Sequence, residues 1–244
     1  MAEWLVILLR GPFASFAESP GNTTRKTGDM PSRSALIGLA AAALGIDRED
    51  DPGQEELATG VVTASALLAP GTILTDFHTF QSLHEAAKGA AMRADALARK
   101  DYLQTAITRR DYRTDAVWQA AYRLSEQPGS LSLVKLGEAF RHPVFALCIG
   151  RRSCPPSHPL NPRLYQATDV RDAFAAHAAE TEYITGSLPR SFSLEIRADA
   201  AGANAVSQHV RRDDPRDRSI RWTFADREEW RVGPASSSAK EGTA

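Results

Sequence analysis

The residues best suited to chemistry in this chain are arginines that lie in segments with few or no acidic side chains. The clearest segment, residues 139–168, contains four arginines, at positions 141, 151, 152 and 163, and no Asp or Glu. Because the net charge of the 244 residues is −1, this segregation predicts a local positive surface on an otherwise balanced protein. A planar guanidinium donates to two oxygens at once, which suits phosphate. The alternative is a solvated arginine pair at the end of a strand.

Two further basic segments accompany this one. The first covers residues 24–34, and it reaches the start of a predicted helix, where open backbone N–H groups favour anions. The second consists of residues 76–79 and 109–113, which flank a long polar stretch. Three basic segments in a chain of balanced charge favour a protein that binds an anionic polymer. A purely protein-binding domain would leave the arginines unexplained.

Metal and cofactor chemistry is not expected. His142, Cys148, Cys154 and His158 are spaced too widely for a structural zinc site, whose paired ligands lie two to four residues apart. Two cysteines predict no disulfide framework and fit a reducing cytoplasm. Phosphate-binding Gly-rich loops and hydrolase motifs are missing from the sequence. The apolar run at residues 4–9 is too short for a membrane span and predicts a buried strand instead.

The coarse pattern alternates strands and helices. Ser32 or Ser34 would cap the first helix, Gly45 would end it, and Pro70-Gly71 predicts a hairpin turn. The predicted elements are a strand at 3–10, a helix at 35–44, strands at 60–69, 72–79 and 115–124, a helix at 131–140, a strand at 144–149, a helix at 168–179, and strands at 191–197 and 219–224.

This order matches an α+β fold, a ferredoxin-like (RRM-like) βαββαβ domain with a long thumb insertion and a small C-terminal β extension. We place the ferredoxin-like domain at residues 1–166, with the thumb at about 80–105, and the extension at 167–232. Residues 233–244 contain no core-forming side chains, and the sequence predicts that this tail is disordered.

The short motifs in these segments, taken in order, resemble the CasD family, a RAMP-superfamily subunit of the type I-E CRISPR complex Cascade. The matching strings are Gly11-Pro12, Thr24-Arg25-x-Thr27-Gly28, Pro31-x-Arg33-Ser34, Gly38-Leu39, Leu44-Gly45-Ile46, Asp76-Phe77-His78-Thr79, Arg110-x-Tyr112-x-x-Asp115-Ala116, Gly150-Arg151-Arg152-Ser153-Cys154-Pro155 and His158-Pro159-Leu160.

The resemblance implies a cytoplasmic RNA-binding protein without a membrane partner. Family members hold the 5′ handle of the CRISPR RNA (crRNA), pack against the repeated backbone subunit and the large subunit, and cap the filament. The thumb interrupts the path of the guide, and target DNA is met only through the complex. The thumb is also where this sequence departs most from the family pattern.

The candidate RNA-binding residues are basic, hydroxyl-bearing or ring-bearing side chains of the three segments. Guanidinium groups would neutralise phosphates, hydroxyls would donate to phosphate or the 2′-hydroxyl, and His78 and Tyr112 would stack on bases. The alternatives are a core histidine for His78 and a cross-strand pair for Tyr112. The candidates are Arg25, Lys26, Thr27, Arg33, Ser34, His78, Thr79, Arg109, Arg110, Tyr112, Arg151, Arg152, Ser153 and His158.

Catalysis is the second functional hypothesis. A related subunit of another CRISPR subtype cuts repeat RNA without metal, and His78, Tyr112 and Lys100 could supply the base, acid and cation of such an endoribonuclease. The resemblance is to the subtype in which a separate subunit processes the RNA. We therefore expect a holder with no catalytic residues, and keep the metal-independent endoribonuclease as the alternative.

Overall fold

The chain folds into two sheets and a set of helices. The computed structural model describes residues 1–16, 23–83, 92–98, 103–182, 186–196, 199, 203, 206–214 and 225–233. Within these ranges the strands are β1 (Ala2–Arg10), β2 (Phe13–Ala14), β3 (Thr24–Arg25), β4 (Val61–Ala69), β5 (Thr72–Leu83), β6 (Leu103–Thr114), β7 (Val117–Leu124), β8 (Arg163–Ala167), β9 (Ser191–Leu194), β10 (Val206–Asp214) and β11 (Ala225–Val232). The helices are α1 (Arg33–Leu44), α2 (Asp51–Gly60), α3 (Arg93–Ala98), α4 (Leu133–Arg141) and α5 (Val170–Glu180).

The larger sheet has the strand order β10-β11-β9-β4-β7-β1-β8. Its part β4-β7-β1-β8 is antiparallel throughout and, with α1 and α4, follows the βαββαβ chain order of a ferredoxin-like domain. Strands β9, β11 and β10 continue the same sheet beyond β4. The predicted α+β class with a C-terminal β extension is therefore confirmed.

Both faces of this sheet are covered around β1, which explains why β1 reads as an unbroken apolar run. Leu5, Ile7 and Leu9 point into the cluster beneath α1 and α4. Trp4 and Val6, on the opposite side of β1, pack with Phe174 of α5. The alternation of side chains along a strand thus divides one apolar sequence between two cores.

The predicted start and end of α1 are confirmed. The Ser32 hydroxyl accepts from the backbone N–H of Ala35, and Gly45 ends the helix in the left-handed region with φ 76°. A Cβ at position 45 would lie 2.8 Å from a methyl group of Val144, so both conformation and space require glycine there.

The predicted hairpin at Pro70-Gly71 is wrong. Strand β4 pairs with β7 and β9, whereas β5 pairs along its whole length with β6, in a second sheet. The chain passes from one sheet to the other at Gly71 (φ 60°) and returns at Asp115 (φ 56°). The two strand pairs β4–β7 and β5–β6 thus form one bent two-stranded ribbon, and the outer pair β5–β6 is called the arm below.

The predicted strand at 144–149 is also wrong. These residues form a loop that hydrogen-bonds to the C-terminal end of α1, and Val144 and Phe145 are exposed. The fourth strand of the βαββαβ unit is β8, which pairs with β1. Three prolines within residues 155–159 favour an irregular path between α4 and this strand.

Several predicted segments are described only in part. The ends of β5 and β6 and the helix α3 fall within the predicted thumb, and residues 84–91 and 99–102 lie outside the described residues. The predicted strand at 219–224 and the tail beyond Gly233 also lie outside them. Strand β10 lies in a stretch that the sequence pattern left without an element. Among the described helices none is long and apolar enough to cross a bilayer.

A buried histidine joins α5 to the sheet. His177 is fully buried, its Nδ1 accepts from Nε2 of Gln119 at 2.8 Å, and its Nε2 donates to the carbonyl of Asn161 at 2.9 Å. The amide group of Gln119 also donates to Phe174 in α5. Burial lowers the pKa of His177 below the ordinary value of 6.5, so the imidazole is held neutral.

This histidine predicts a loss of stability in mild acid. The unfolded chain binds a proton at His177 near pH 6.5, whereas the folded chain resists it, so the free energy of unfolding should fall as pH drops below 6.5. The slope from this group is at most about 1.4 kcal/mol per pH unit and ends below the folded-state pKa. Urea unfolding between pH 5 and 8 measures it. The variant His177→Gln should show a shallower slope in this window, and equal slopes would contradict the assignment.

Candidate nucleic-acid interface

Strand β6 is the element on which the three basic segments meet. Strand β3 pairs with it in parallel, with Thr24 opposite Arg109 and Arg25 opposite Arg110, and the N–H of Arg109 donates to Thr23 at 2.7 Å. The third segment reaches β6 through Arg151, which donates to the carbonyl of Asp111 at 3.2 Å and to the carbonyl of Arg25 at 3.0 Å. Segments that are far apart in the sequence therefore adjoin.

The arm divides the candidate residues between its two faces, because residues directly opposite in register share a face. One face, called the Tyr112 face, carries His78 on β5, Arg110 and Tyr112 on β6, and Arg25 on β3. The other, called the Arg109 face, carries Thr79, Arg109 and, next to β3, Lys26. The sequence did not indicate this division.

On the Tyr112 face an aromatic ring is held between two neighbours. The Phe13 ring meets Tyr112 edge-on with centroids 5.9 Å apart, and the Arg151 guanidinium lies 5.0 Å from the centre of the Tyr112 ring. Gly150, with φ 88°, lets the loop approach closely, since a Cβ there would lie 1.9 Å from the carbonyl oxygen of Ser15. Tyr112 also lies opposite Leu74 on β5, as the alternative prediction of a cross-strand pair requires.

Arg110 on this face and Arg152 in the adjoining loop are cations with donor capacity left over. The Nε atom of Arg110 is buried and has no hydrogen-bond partner in the described structure. An unpaired buried donor is costly and calls for an explanation such as a water or bound ion. Arg152 and Ser153 are exposed in the loop next to Arg151, and Arg152 makes no hydrogen bond or ion pair with any described residue.

His78 is not a core histidine, because its side chain is 50 % exposed. Its Nε2 atom pairs with the carboxylate of Asp76, two residues away on the same face. On the Arg109 face, the Arg109 guanidinium lies 5.7 Å from the centre of the Phe77 ring, and Lys26 and Thr79 are exposed. These side chains are accessible to a ligand.

Two candidates are largely buried, and the partners of Arg33 inside the protein argue against its predicted RNA contact. Arg33 is 3 % exposed and forms an ion pair with Glu195 at 2.7 Å, while it also donates to the carbonyls of Ala58 and Val61. Thr27 is 7 % exposed, and its hydroxyl accepts from Phe16 and donates to Gly28. The helix start that the sequence predicts to be an anion site instead anchors α1 to the sheet.

Two further candidates lie apart from the arm contacts. Ser34 is half-buried, and its hydroxyl lies 3.1 Å from that of Ser32, the cap of α1. Nδ1 of His158 shares a hydrogen bond of 2.8 Å with the Ser157 hydroxyl. The same side chain lines a separate cleft with Phe140 and Arg141. Neither makes a described contact with β6.

Sequence reasoning missed Phe13, although it follows the Gly11-Pro12 motif that contributed to the resemblance. It also missed Arg113, whose Nε donates to Gly28 at 2.9 Å and whose terminal nitrogen donates to Pro70 at 3.0 Å. Burial raises the pKa of both Cys148 and Cys154, so neither thiol is activated. In the part of the chain that is described, no three His, Cys, Asp or Glu side chains come together as metal ligands would.

These features define a ferredoxin-like α+β protein with a basic β-ribbon arm. A family model described as CRISPR-associated protein (Cas_Cas5) matches residues 4–231. The chain is 31 % identical over 181 residues to the CRISPR system Cascade subunit CasD of Escherichia coli (strain K12), in a match that covers 71 % of this chain and 76 % of that protein. The chain therefore belongs to the Cas5 family of CRISPR-associated proteins, and the resemblance to CasD is confirmed.

Solved structures support the same fold. A chain of a structure titled CRISPR RNA-guided surveillance complex is similar with a TM-score of 0.62 at 24 % identity, over 95 % of this chain and 90 % of that one. A structure titled Crystal structure of Cas protein is similar with a TM-score of 0.58 at 24 % identity, over 95 % of both chains.

The contacts of the two adjacent arginines predict different effects of mutation. Arg151→Ala removes two hydrogen bonds to carbonyls and the contact with the Tyr112 ring, so it should lower the free energy of unfolding by about 1–3 kcal/mol. Arg152→Ala, the matched control one residue away, should change it by less than about 0.5 kcal/mol. Urea unfolding at neutral pH measures both. Equal effects of the two variants would contradict the structural role of Arg151.

Proposed function

We propose that this chain is a non-catalytic RNA-binding subunit of a Cascade-type CRISPR surveillance complex. In this role it holds the 5′ handle of the crRNA and caps the backbone filament. The observation that carries the proposal is the meeting of three basic segments on β6, with Arg110 two residues from Tyr112 on the same face and Arg152 exposed next to Arg151, whose guanidinium lies against the Tyr112 ring. The relative at 31 % identity is a Cascade subunit by name, which supports the assignment.

The chemistry of the Tyr112 face suits single-stranded RNA. Unpaired bases are recognised by stacking and by hydrogen bonds to their edges, while phosphates are held by cations. Tyr112 and His78 offer ring surfaces, Arg25, Arg110 and Arg152 offer donors for phosphate, and Ser153 offers a hydroxyl. The binding energy from the cations should fall as salt rises, since each neutralised phosphate releases counterions.

The arm also carries apolar side chains that need a protein partner. Ile73, Phe77 and Ile107 are about half exposed on the Arg109 face, and Leu74 and Phe80 on the opposite face. Exposed apolar side chains in such numbers along one ribbon are typical of an interface. We assign Phe77 and Ile107, on the Arg109 face beyond the base of the arm, to the backbone subunit next to the thumb, and assign the large subunit as a second partner of the same complex.

Geometry argues against the endoribonuclease. His78 lies opposite Thr108, four residues along β6 from Tyr112, a separation of about 13 Å along the strand. A general base and a general acid must both reach one phosphodiester, so this pair is too far apart without a large rearrangement. Lys100, the third group considered, lies outside the described residues.

The proposal predicts the salt dependence of RNA binding. The full chain should bind a fluorescein-labelled single-stranded RNA with the sequence of the host's CRISPR repeat, measured by fluorescence anisotropy over a salt series. The double variant Arg110→Ala with Arg152→Ala should bind more weakly, and its slope of log affinity against log salt should be shallower by about 0.7 for each phosphate that is no longer neutralised.

Arg163→Ala, an exposed arginine on β8, is the matched control and should bind like the wild type. An unchanged slope in the double variant would contradict the proposed site. The same RNA should remain intact during incubation with or without a chelator. A defined cleavage product that disappears in His78→Ala would overturn the non-catalytic role and favour the endoribonuclease.

A further inference from the structure

A cleft of about 740 Å³ lies between the Arg109 face and the C-terminal strands, and the proposed function does not use it. One wall is formed by Lys26, Ile73 and Arg113 at the base of the arm. The other is formed by β10, which presents Ser207, His209 and Arg211 at every second position and hence on one face. The candidates named from the sequence all precede β9, so this wall is new.

An ion pair joins the C-terminal strands to the loop after β3 at this cleft. Arg231 of β11 reaches Asp29, in the loop after β3, at 3.0 Å, and its Nε atom pairs with Glu229. Glu229 is 2 % exposed and also accepts from Arg227 at 2.8 Å and lies 3.5 Å from Arg211. Burial alone would raise the pKa of Glu229, but the surrounding guanidinium groups lower it below its ordinary value. A charged carboxylate therefore fixes the arginines that close the cleft.

The lining of the cleft suits a nucleotide chain. Four cationic side chains, Lys26, Arg113, Arg211 and Arg231, face the two carboxylates Asp29 and Asp111. Lys26 is exposed and makes no ion pair with a described residue. The hydroxyl of Ser207 and the ring of His209, 2.9 Å apart, provide donors and acceptors of the kind that bind phosphate and the 2′-hydroxyl. Ile73, which is 58 % exposed, offers an apolar surface for a base.

The cleft and the Tyr112 face adjoin at one edge of the smaller sheet. Strand β3 forms that edge, where Arg25 belongs to the Tyr112 face and Lys26, the next residue, belongs to the cleft. A flexible strand that crosses this edge would meet the two cations in succession. This arrangement favours RNA over an acidic protein segment, which would have no reason to follow the arginines from one face to the other.

We infer that the cleft is a second RNA-binding site, in which Lys26, Ser207 and His209 contact nucleotides that leave the Tyr112 face over β3. The inference rests on the proposed function and gives the C-terminal strands a role in it. In this inference the cleft contacts phosphate and sugar, because the donors in the cleft are cationic, hydroxyl and imidazole groups and its apolar surface is small.

The test compares two variants that each place one negative charge on β10, one on each face of the strand. His209→Glu puts a carboxylate in the cleft, whereas Val210→Glu puts it on the neighbouring residue, which is 71 % exposed on the opposite face of the strand. With the labelled repeat RNA described above, His209→Glu should weaken binding about fivefold, and Val210→Glu should leave it unchanged. Lys26→Ala should make the salt slope shallower by about 0.7.

The outcomes separate the cleft from the proposed function. If the wild type does not bind RNA, both the proposed function and the cleft site are contradicted. If Arg110→Ala with Arg152→Ala weakens binding while His209→Glu binds like the wild type, only the cleft site is overturned. Equal weakening by His209→Glu and Val210→Glu would also overturn it. Ultraviolet crosslinking of 4-thiouridine RNA to the wild-type chain gives an independent readout, which should label the peptide around residues 207–211, and labelling confined to other peptides would contradict the cleft site.

Discussion

The bend of the two-stranded ribbon at Gly71 and Asp115 is the constraint on which the rest of the surface depends. Both residues have positive φ, and a Cβ at Gly71 would lie 2.1 Å from the carbonyl oxygen of Thr114, so the crossing strands touch backbone to backbone. Because of this bend, β5 and β6 leave the covered sheet and expose both faces. The outer edge of β6 is then free to pair with β2 and β3, and this pairing brings the basic segments together.

The arginines of this protein have two different roles, one structural and one suited to binding a ligand, and the amino-acid composition does not distinguish them. Arg33, Arg113 and Arg151 donate to backbone carbonyls or to a partly buried carboxylate, and they hold elements in place. Arg110 and Arg152 have donors without described partners and suit an anionic ligand. The first group builds the surface, and the second group gives it the positive charge that the proposed function requires.

The parts of this architecture that follow from local pattern are predictable, such as β1, the capped helix α1 and the βαββαβ order. The bend at Pro70-Gly71 resembles a hairpin in sequence because a glycine turn looks the same whether the strands reverse or diverge. The loop at 144–149 resembles a strand because its residues are apolar, although they contact α1 rather than a neighbouring strand. Which arginines are buried depends on partners such as Glu195, 162 residues from Arg33, that no local pattern reveals.

The most direct test of the account is a structure of the ribonucleoprotein complex that contains this chain. RNA should lie on the Tyr112 face, with a base against the Tyr112 ring and phosphate oxygens within hydrogen-bond distance of Arg110 and Arg152. RNA bound over helices α1 and α4, or a protein segment seated on the Tyr112 ring with no RNA nearby, would contradict it.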